Sequence, residues 1–232
     1  YPMHITAIIP AAGEGSRFRG AVRKQFIALD GLPILSHTLR ALAASNALAA
    51  AIVVVPPGEE SFGREALSLA GVELATEVVP GGRERQDSVY NGLLRASPDT
   101  DLVLIHDGVR PFVSPGVVLA TIEAAKECGA AVAAVPVTDT IKRVDADGLV
   151  IDTPAREQLW AAQTPQVFRY SLLMQAHQSV RKRGILATDD AALLEHLGVR
   201  VKVVRGSYEN LKITSEDDLP LAGLILRRQR AR

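Results

Sequence analysis

β-rich apolar runs recur along this chain of 232 residues, at 5–9, 52–55, 102–105, 131–135 and 199–204, with helical patterns between them. Runs of this length suit strands buried on both faces, the condition of a mostly parallel sheet. The alternation therefore predicts a three-layer α/β domain, with helices over both faces of the sheet and short connections. At 47% hydrophobic and 22% charged, the chain can bury one full core of this kind. No internal repeat, low-complexity tract or linker divides it, so residues 1–232 read as a single domain.

Several helix ends are legible. Ser114-Pro115 has the form of an N-cap followed by proline at the first helical position, and Gly129 is the expected stop. Thr188-Asp189-Asp190 opens a helix that Gly198 closes. Ser215-Glu216-Asp217-Asp218 resembles a capping box before a last helix whose end carries Arg227, Arg228, Arg230 and Arg232, cations that complement the helix dipole. Cys128, just before Gly129, reads as structural.

One segment departs from the alternation. Residues 138–144 and 149–151 flank Asp145-Ala146-Asp147-Gly148, which reads as a hairpin turn. A two-stranded hairpin is marginal alone, so its apolar face needs a partner surface. Residues 138–156 are read as an arm, either for dimerisation or folded onto its own domain.

Composition narrows the function. Lys+Arg 26 against Asp+Glu 26 gives no net charge, which argues against a nucleic-acid or anionic-membrane partner. Basic residues cluster locally instead, at Arg17, Arg19, Arg23 and Lys24, which suits a small anionic ligand. A single cysteine forms no internal disulfide, and a reducing cytoplasm is expected. The longest apolar stretch, 41–55, is broken by Ser45-Asn46 and stopped by Pro56, short of the ~20 apolar residues of a spanning helix. The first residues lack the basic region of a secretory signal.

The chemistry gathers where strands end. Pro10-Ala11-Ala12-Gly13-Glu14-Gly15-Ser16-Arg17 leaves the first apolar run, and Lys24 follows. Tiny residues at a strand end expose backbone N–H groups in a concave row that binds anions, and the two cations suit a polyphosphate. A Walker A loop would need Gly-Lys-Ser/Thr, and a dinucleotide fingerprint would need glycine where Phe18 stands. The plain alternative is a glycine-rich surface turn with solvated arginines.

Two more clusters share this placement. Pro80-Gly81-Gly82-Arg83-Glu84-Arg85-Gln86-Asp87-Ser88 offers a glycine pair for close backbone approach, with Ser88 at a helix start and its hydroxyl free. A turn with a helix cap is the competing explanation. His106-Asp107-Gly108-Val109-Arg110-Pro111 places a carboxylate directly off the sheet, where it can hold Mg²⁺ or simply make a turn. His106 reads as a packed, hydrogen-bonded histidine rather than a base. The 5 histidines show no metal-ligand spacing.

Taken in order, these clusters closely resemble the 2-C-methyl-D-erythritol 4-phosphate cytidylyltransferase family over nearly the whole chain. The matching set is Pro10-Ala11-Ala12-Gly13-x-Gly15-x-Arg17 with Lys24-Gln25, Gly81-Gly82, Arg85, Asp87-Ser88-Val89 and His106-Asp107 with Arg110-Pro111. It continues through Asp139-Thr140 with Lys142, Arg156-x-x-Leu159-Trp160, Thr164-Pro165-Gln166, Thr188-Asp189 and Lys212. The first loop occurs across nucleotidyltransferases, whereas the complete ordered set is highly specific.

The resemblance implies a Rossmann-like nucleotidyltransferase fold with a protruding β-hairpin arm. It also implies that Arg17 and Lys24 contact the CTP phosphates and stabilise the transition state. Ala11, Ala12, Gly13, Gly15, Gly82 and Ser88 would hold the nucleotide, and Asp107 would orient Mg²⁺. Arg156, Thr164, Thr188 and Lys212 would receive the acceptor phosphate, with Asp107, Arg110 and Thr140 near the polyol. Homodimers are implied, with the arm reaching into the neighbouring subunit's site. One departure is Gly108-Val109, where the family usually has two alanines.

The reaction implied is attack of a polyol phosphate on the α-phosphorus of CTP with loss of pyrophosphate. A ribitol 5-phosphate cytidylyltransferase shares the scaffold, and its acceptor differs only by a methyl branch and chain length. A catalytically dead nucleotide-binding regulator is the reading from another class, and the joint presence of Arg17, Lys24, Asp107 and Lys212 speaks against it.

Overall fold

The computed structural model describes residues 3–13 and 23–231. The strands are β1 (Ile5–Pro10), β2 (Ala28–Leu29), β3 (Leu32–Pro33), β4 (Ala50–Val55), β5 (Ala75–Pro80), β6 (Leu102–Ile105), β7 (Ala130–Pro136), β8 (Arg143–Val144), β9 (Val150–Asp152), β10 (Trp160–Arg169) and β11 (Lys202–Arg205). The helices are α1 (Ile34–Ala43), α2 (Glu60–Ala70), α3 (Arg85–Leu93), α4 (Pro115–Cys128), α5 (Tyr170–Arg183), α6 (Asp190–Glu195) and α7 (Leu219–Arg230).

Seven strands form one sheet in the order β11-β7-β10-β6-β1-β4-β5. All neighbours are parallel except β10, which runs antiparallel to both β6 and β7. Alternation within strands explains the layers. Ile5, Ala7 and Ile9 of β1 face a core shared with α1, α2 and α4. Ile8 faces a second core shared with α3, α5 and α6. Both faces of the sheet are thus apolar, and the expected three-layer α/β domain is what forms. A third, smaller cluster packs α7 against Ile34 and Phe112.

Local signals behave as their chemistry dictates. Ser114 Oγ accepts from Val117 N at the start of α4, and Gly129 ends that helix at φ 83°. Asp189 caps α6 by accepting from Ala192 N at 2.9 Å. Ser215 and Asp218 form their capping box around a 3-10 turn that leads into α7. Cys128 is exposed, with its thiol donating to Ala124 O within its own helix.

Two elements differ from the sequence reading. The run expected at 199–204 becomes a strand only over Lys202–Arg205, because Val199 and Val201 turn toward the second core before the chain reaches β7. The strand β10 is the antiparallel member of the sheet and has no apolar signature over Gln163-Thr164-Pro165-Gln166. There the register shifts between Ala162 and Gln166, and the buried amides bond neighbouring loops.

Strands β8 and β9 pair as a separate antiparallel ribbon. Asp145 Oδ1 accepts from Asp147 N and Leu149 N, and Gly148 sits at φ 81°, so the turn is where the sequence puts it. Ile141, Val144, Leu149, Val150 and Ile151 are all exposed on this ribbon. Among the described residues no helix is long and apolar enough to cross a membrane.

The sheet order fixes where a ligand can bind. From β1 the chain builds outward through β4 and β5, then returns to the other side of β1 as β6. Ligands of open α/β sheets sit beyond the carboxyl ends of strands at such a reversal. Here those ends are Pro10 of β1 and Ile105 of β6.

Candidate active site

Beyond Pro10 the chain continues through Ala11, Ala12 and Gly13, anchored by Ala11 N donating to Val54 O at 2.7 Å. Gly15 and Arg17 lie outside the described residues. Lys24 opens a 3-10 turn, Lys24–Phe26, on the same rim.

Close backbone approach explains the glycines around this rim. A Cβ on Gly81 would lie 2.5 Å from Ala12 Cβ, so the two loops meet only without one. A Cβ on Gly108 would lie 2.8 Å from Ala11 Cβ. A side chain at 108, one of the two positions where this chain departs from the pattern of paired alanines, would therefore have to displace the Ala11 loop.

Ser88 corrects one expectation. Its hydroxyl is committed, accepting from Gly82 N at 3.1 Å and donating to Glu84 O at 3.2 Å. The hydroxyl thus shapes the glycine turn, and it is buried rather than free.

Two cavities open at this end of the sheet. The first, about 170 Å³, is bordered by Ala11, Ala12, Gly13, Lys24, Gly82 and Ser88. The second, about 280 Å³, is bordered by Arg110, Thr164, Gln166, Thr188 and Asp189. Arg85, Asp107 and Lys212 border both. Ala11, Ala12, Gly13, Lys24, Gly82 and Ser88, assigned by resemblance to the nucleotide, thus border the first cavity, and Arg110, Thr164 and Thr188, assigned to the acceptor, border the second, with one common wall between.

That wall is an ion cluster. Asp107 Oδ2 lies 2.9 Å from Lys212 Nζ and 3.6 Å from Arg110 Nε, and Oδ1 accepts from Arg85 at 3.3 and 3.4 Å. Burial alone would push the Asp107 carboxyl up, but Arg85, Lys212 and Arg110 together hold it well below the usual carboxylate range. Arg85 also donates to Asp190 Oδ2 at 2.7 Å. Burial disfavours its charge, yet Asp190 and Asp107 outweigh burial and raise its pKa. Among the described residues Arg83, Arg85, Arg110 and Lys212 offset Glu84, Asp107, Asp189 and Asp190 around the two cavities, and Lys24 on the first cavity tips the balance to positive. A positive balance favours an anion there.

Next to the wall a relay of hydrogen bonds fixes the strand end. His106 Nε2 bonds Arg110 O at 3.0 Å. A carbonyl only accepts, so Nε2 carries the ring proton. Burial holds the ring at about 4, which keeps it neutral near pH 7. Nδ1 therefore accepts from Thr164 Oγ1 at 3.0 Å, and Thr164 Oγ1 in turn accepts from Asp107 N at 3.0 Å. His106 is packed and bonded as its sequence context indicates. Thr164 spends its only hydroxyl proton on His106, so it borders the second cavity without a proton to offer a ligand.

Thr140 and Arg156 lie outside both cavities. Thr140 is exposed on the arm, and Arg156 donates to Thr138 O at 2.9 Å at the arm's base.

Arg85, Gln25 and Gln166 border the cavities without a role from sequence. For Arg85 a signal was present: it precedes Ser88 by three residues on α3, so the two share a helix face. Gln166 stood in the matching Thr164-Pro165-Gln166 run but carried no role there, because its work is done through the fold. It donates to Asp189 Oδ2 at 2.8 Å and accepts from Ala191 N at 3.1 Å, tying β10 to α6.

The donor set can be judged against a metal. Among the described residues no three His, Cys, Asp or Glu side chains converge as a cage. Mg²⁺ usually keeps several waters and takes one or two carboxylates plus substrate phosphates. Asp107 borders both cavities but is already met by Lys212, Arg85 and Arg110, so it fits Mg²⁺ only as one ligand of an ion held mainly by phosphate oxygens and waters.

Comparison with known proteins gives the chain a family. Residues 5–228 match the family 2-C-methyl-D-erythritol 4-phosphate cytidylyltransferase (IspD). The chain is similar to proteins of that name from Pelotomaculum thermopropionicum, 49% identical over 98% of this chain and 96% of the relative, and from Desulforamulus reducens, 49% identical over 97% of each. Among solved structures it is similar to the 4-diphosphocytidyl-2C-methyl-D-erythritol synthase of Anaerococcus prevotii, with TM-score 0.88 and 33% identity over 98% of this chain and 97% of the other. It is similar too to the 2-C-methyl-D-erythritol 4-phosphate cytidylyltransferase of Thermus thermophilus, with TM-score 0.79 and 37% identity over 97% of this chain and 100% of the other. The wall of charge between two cavities therefore belongs to a member of the 2-C-methyl-D-erythritol 4-phosphate cytidylyltransferase family.

Proposed function

We propose that the first cavity receives CTP, the second receives the phosphate end of 2-C-methyl-D-erythritol 4-phosphate, and transfer takes place across their shared wall. The overall reaction is that of the family: CMP passes from CTP to the acceptor phosphate, and pyrophosphate leaves. The observation that carries the assignment of sites is the Arg85–Asp107–Lys212 cluster bordering both cavities.

In the step itself an oxygen of the acceptor phosphate attacks the α-phosphorus of CTP. A new P–O bond forms, the bond from the α-phosphorus to the α,β-bridging oxygen breaks, and pyrophosphate departs with that electron pair. A phosphate monoester has a second pKa near ~6 and is largely dianionic at neutral pH, so no general base is required. His106 agrees with this, since both its nitrogens are committed within the fold. Lys24 and Arg17 would stabilise charge on the triphosphate as the leaving group separates. Lys212, 40% exposed, and Thr188 would receive the acceptor phosphate. Arg110 would face the polyol from the cavity wall. Asp107 would hold Mg²⁺, which when bound neutralises phosphate charge.

The arm is assigned to a second copy of the chain. Its apolar side chains are exposed while Thr140 and Arg156 stand clear of the subunit's own cavities. In a two-fold dimer the ribbon would cover those side chains and bring Thr140 and Arg156 to the partner's acceptor cavity.

Pyrophosphate release with CTP and Mg²⁺ tests the reading. Turnover with 2-C-methyl-D-erythritol 4-phosphate at a kcat/KM at least ~10-fold above that with ribitol 5-phosphate is expected, since a methyl-sized difference is worth ~1–3 kcal/mol. Preference for ribitol 5-phosphate, or no release with either, would reject it.

A further inference from the structure

We propose that Arg85 is a positioning residue for the transfer. By gripping Asp107 and Asp190 together, it would fix the start of α6, and with it the acceptor cavity, against the wall shared with the nucleotide cavity. The inference rests on the assignment of the two cavities above.

Arg85 is the first residue of α3, the helix that also carries Ser88 of the nucleotide cavity. Its NH1 reaches Asp190 Oδ2 at 2.7 Å, and Nε and NH2 reach Asp107 Oδ1 at 3.4 and 3.3 Å. All three guanidinium nitrogens thus donate to carboxylates. The planar fork spreads three nitrogens over the two acids, where a lysine would offer a single nitrogen.

Asp190 is what makes the contact mechanical. At 1% exposure it touches no substrate, yet it is the first residue of α6 and follows directly on Thr188 and Asp189 of the acceptor cavity. Its other oxygen lies 3.6 Å from Nε2 of the fully buried His177. Gln166 ties the same helix start to β10. Loss of the Arg85 contact leaves α6 held to the sheet by Gln166 and packed on α3, with Gln86 still bonding Ile185 O and Ala187 N in the loop before it, but removes the ion pair at the helix start itself. Displacing a substrate-holding loop by about an ångström can cost ~10²-fold in rate.

The arrangement also preserves Asp107 during binding. Lys212 is the most exposed of its three cations, so Lys212 is the one an incoming phosphate can draw away. Arg85 and Arg110 then keep the carboxylate compensated and in place.

The test compares Arg85→Gln, Asp190→Asn and the double variant. CTP affinity is read by calorimetry, acceptor kinetics by pyrophosphate release, and fold by thermal melting. Asp190→Asn, buried away from both cavities, should bind CTP within ~3-fold of wild type, and both single variants should lose ~10²-fold in kcat/KM for the acceptor. The double variant should lose no more than either, because the two residues act as one unit. The proposal is overturned if Asp190→Asn turns over normally, if losses multiply in the double variant, or if the CTP affinity of Asp190→Asn falls in step with kcat/KM. It is equally overturned if both single variants lose CTP binding together with their melting transition, which would make the pair a strut of the fold. A wild-type protein that turns over neither acceptor would instead reject the assigned function, and acceptor binding by calorimetry would still compare the variants.

Discussion

Lys212 Nζ lies 2.9 Å from Asp107 Oδ2, so a half-exposed cation from the chain's last quarter closes on the carboxylate at the end of β6. This contact joins the two cavities: the same pair borders both, and the same carboxylate is braced from behind by Arg85 and Arg110. In the proposed reading, a phosphate entering the second cavity would compete with Asp107 for Lys212, and a nucleotide phosphate entering the first would meet Lys24.

Lys24→Ala should reduce kcat by at least ~10²-fold while weakening CTP binding much less, by comparison with the loss of single transition-state donors elsewhere. Lys24 stands at the rim of the first cavity, where it can follow charge growing between the α- and β-phosphates. Steady-state kinetics showing an unchanged kcat with a raised KM would assign it to ground-state binding instead.

Asp107→Asn retains the shape of the side chain and removes its charge. Activity should fall and return in part at high Mg²⁺, because the protein's oxygen donor to the metal is weakened. Asparagine is also a good turn residue, so a purely conformational role would leave the magnesium dependence unaltered. Overlapping magnesium titrations for variant and wild type would refute the metal role.

Much of this was legible from the sequence, for a physical reason. Runs such as Leu102–Ile105 are apolar throughout because both sheet faces are covered, and the ends of such strands must carry the polar chemistry. Ser114, Gly129 and Asp189 announced helix ends because backbone groups there need partners or a positive φ. β10 was not legible. Its central Gln163, Thr164 and Gln166 are buried polar residues, and their bonds run to Ser207, His106 and Asp189, which are distant in sequence. Asp190 stayed silent for the same reason: an acid at a helix start is ordinary until Arg85, 105 residues earlier, is found against it.

Two buried histidines set the response to mild acid. Burial lowers the pKa of His37 and holds His106 at about 4. In the unfolded chain both return to about 6.5, so between these values the unfolded state takes up protons that the native state refuses. Stability is full above about pH 6.5 and falls as the pH drops toward 4, with a slope of up to ~1.4 kcal/mol per pH unit for each such group. Urea midpoints should decline from about pH 7 to about pH 5, and His37→Gln, whose amide can still donate to Leu29 O, should lessen the decline. A midpoint that rises with acidification would contradict this account.

Subunit exchange reads the arm. Lys24→Ala and Arg156→Ala are each expected to be inactive. With random mixing about half the dimers are mixed. If the arm acts in trans, each mixed dimer has one site with both lesions and one with neither, so about a quarter of wild-type activity per site returns. If Arg156 serves its own subunit, every site keeps a lesion and no activity returns, even with mixed dimers verified by mass spectrometry.

The central claim, direct displacement at the α-phosphorus by the acceptor phosphate across the shared wall, is tested by isotope. The acceptor is labelled with ¹⁸O at its three non-bridging phosphate oxygens, and the products are read by ³¹P NMR. The account expects all the label in the cytidyl product, with one labelled oxygen joining its two phosphorus atoms, and none in pyrophosphate. Label in pyrophosphate, or a product whose bridging oxygen is never labelled, would contradict it.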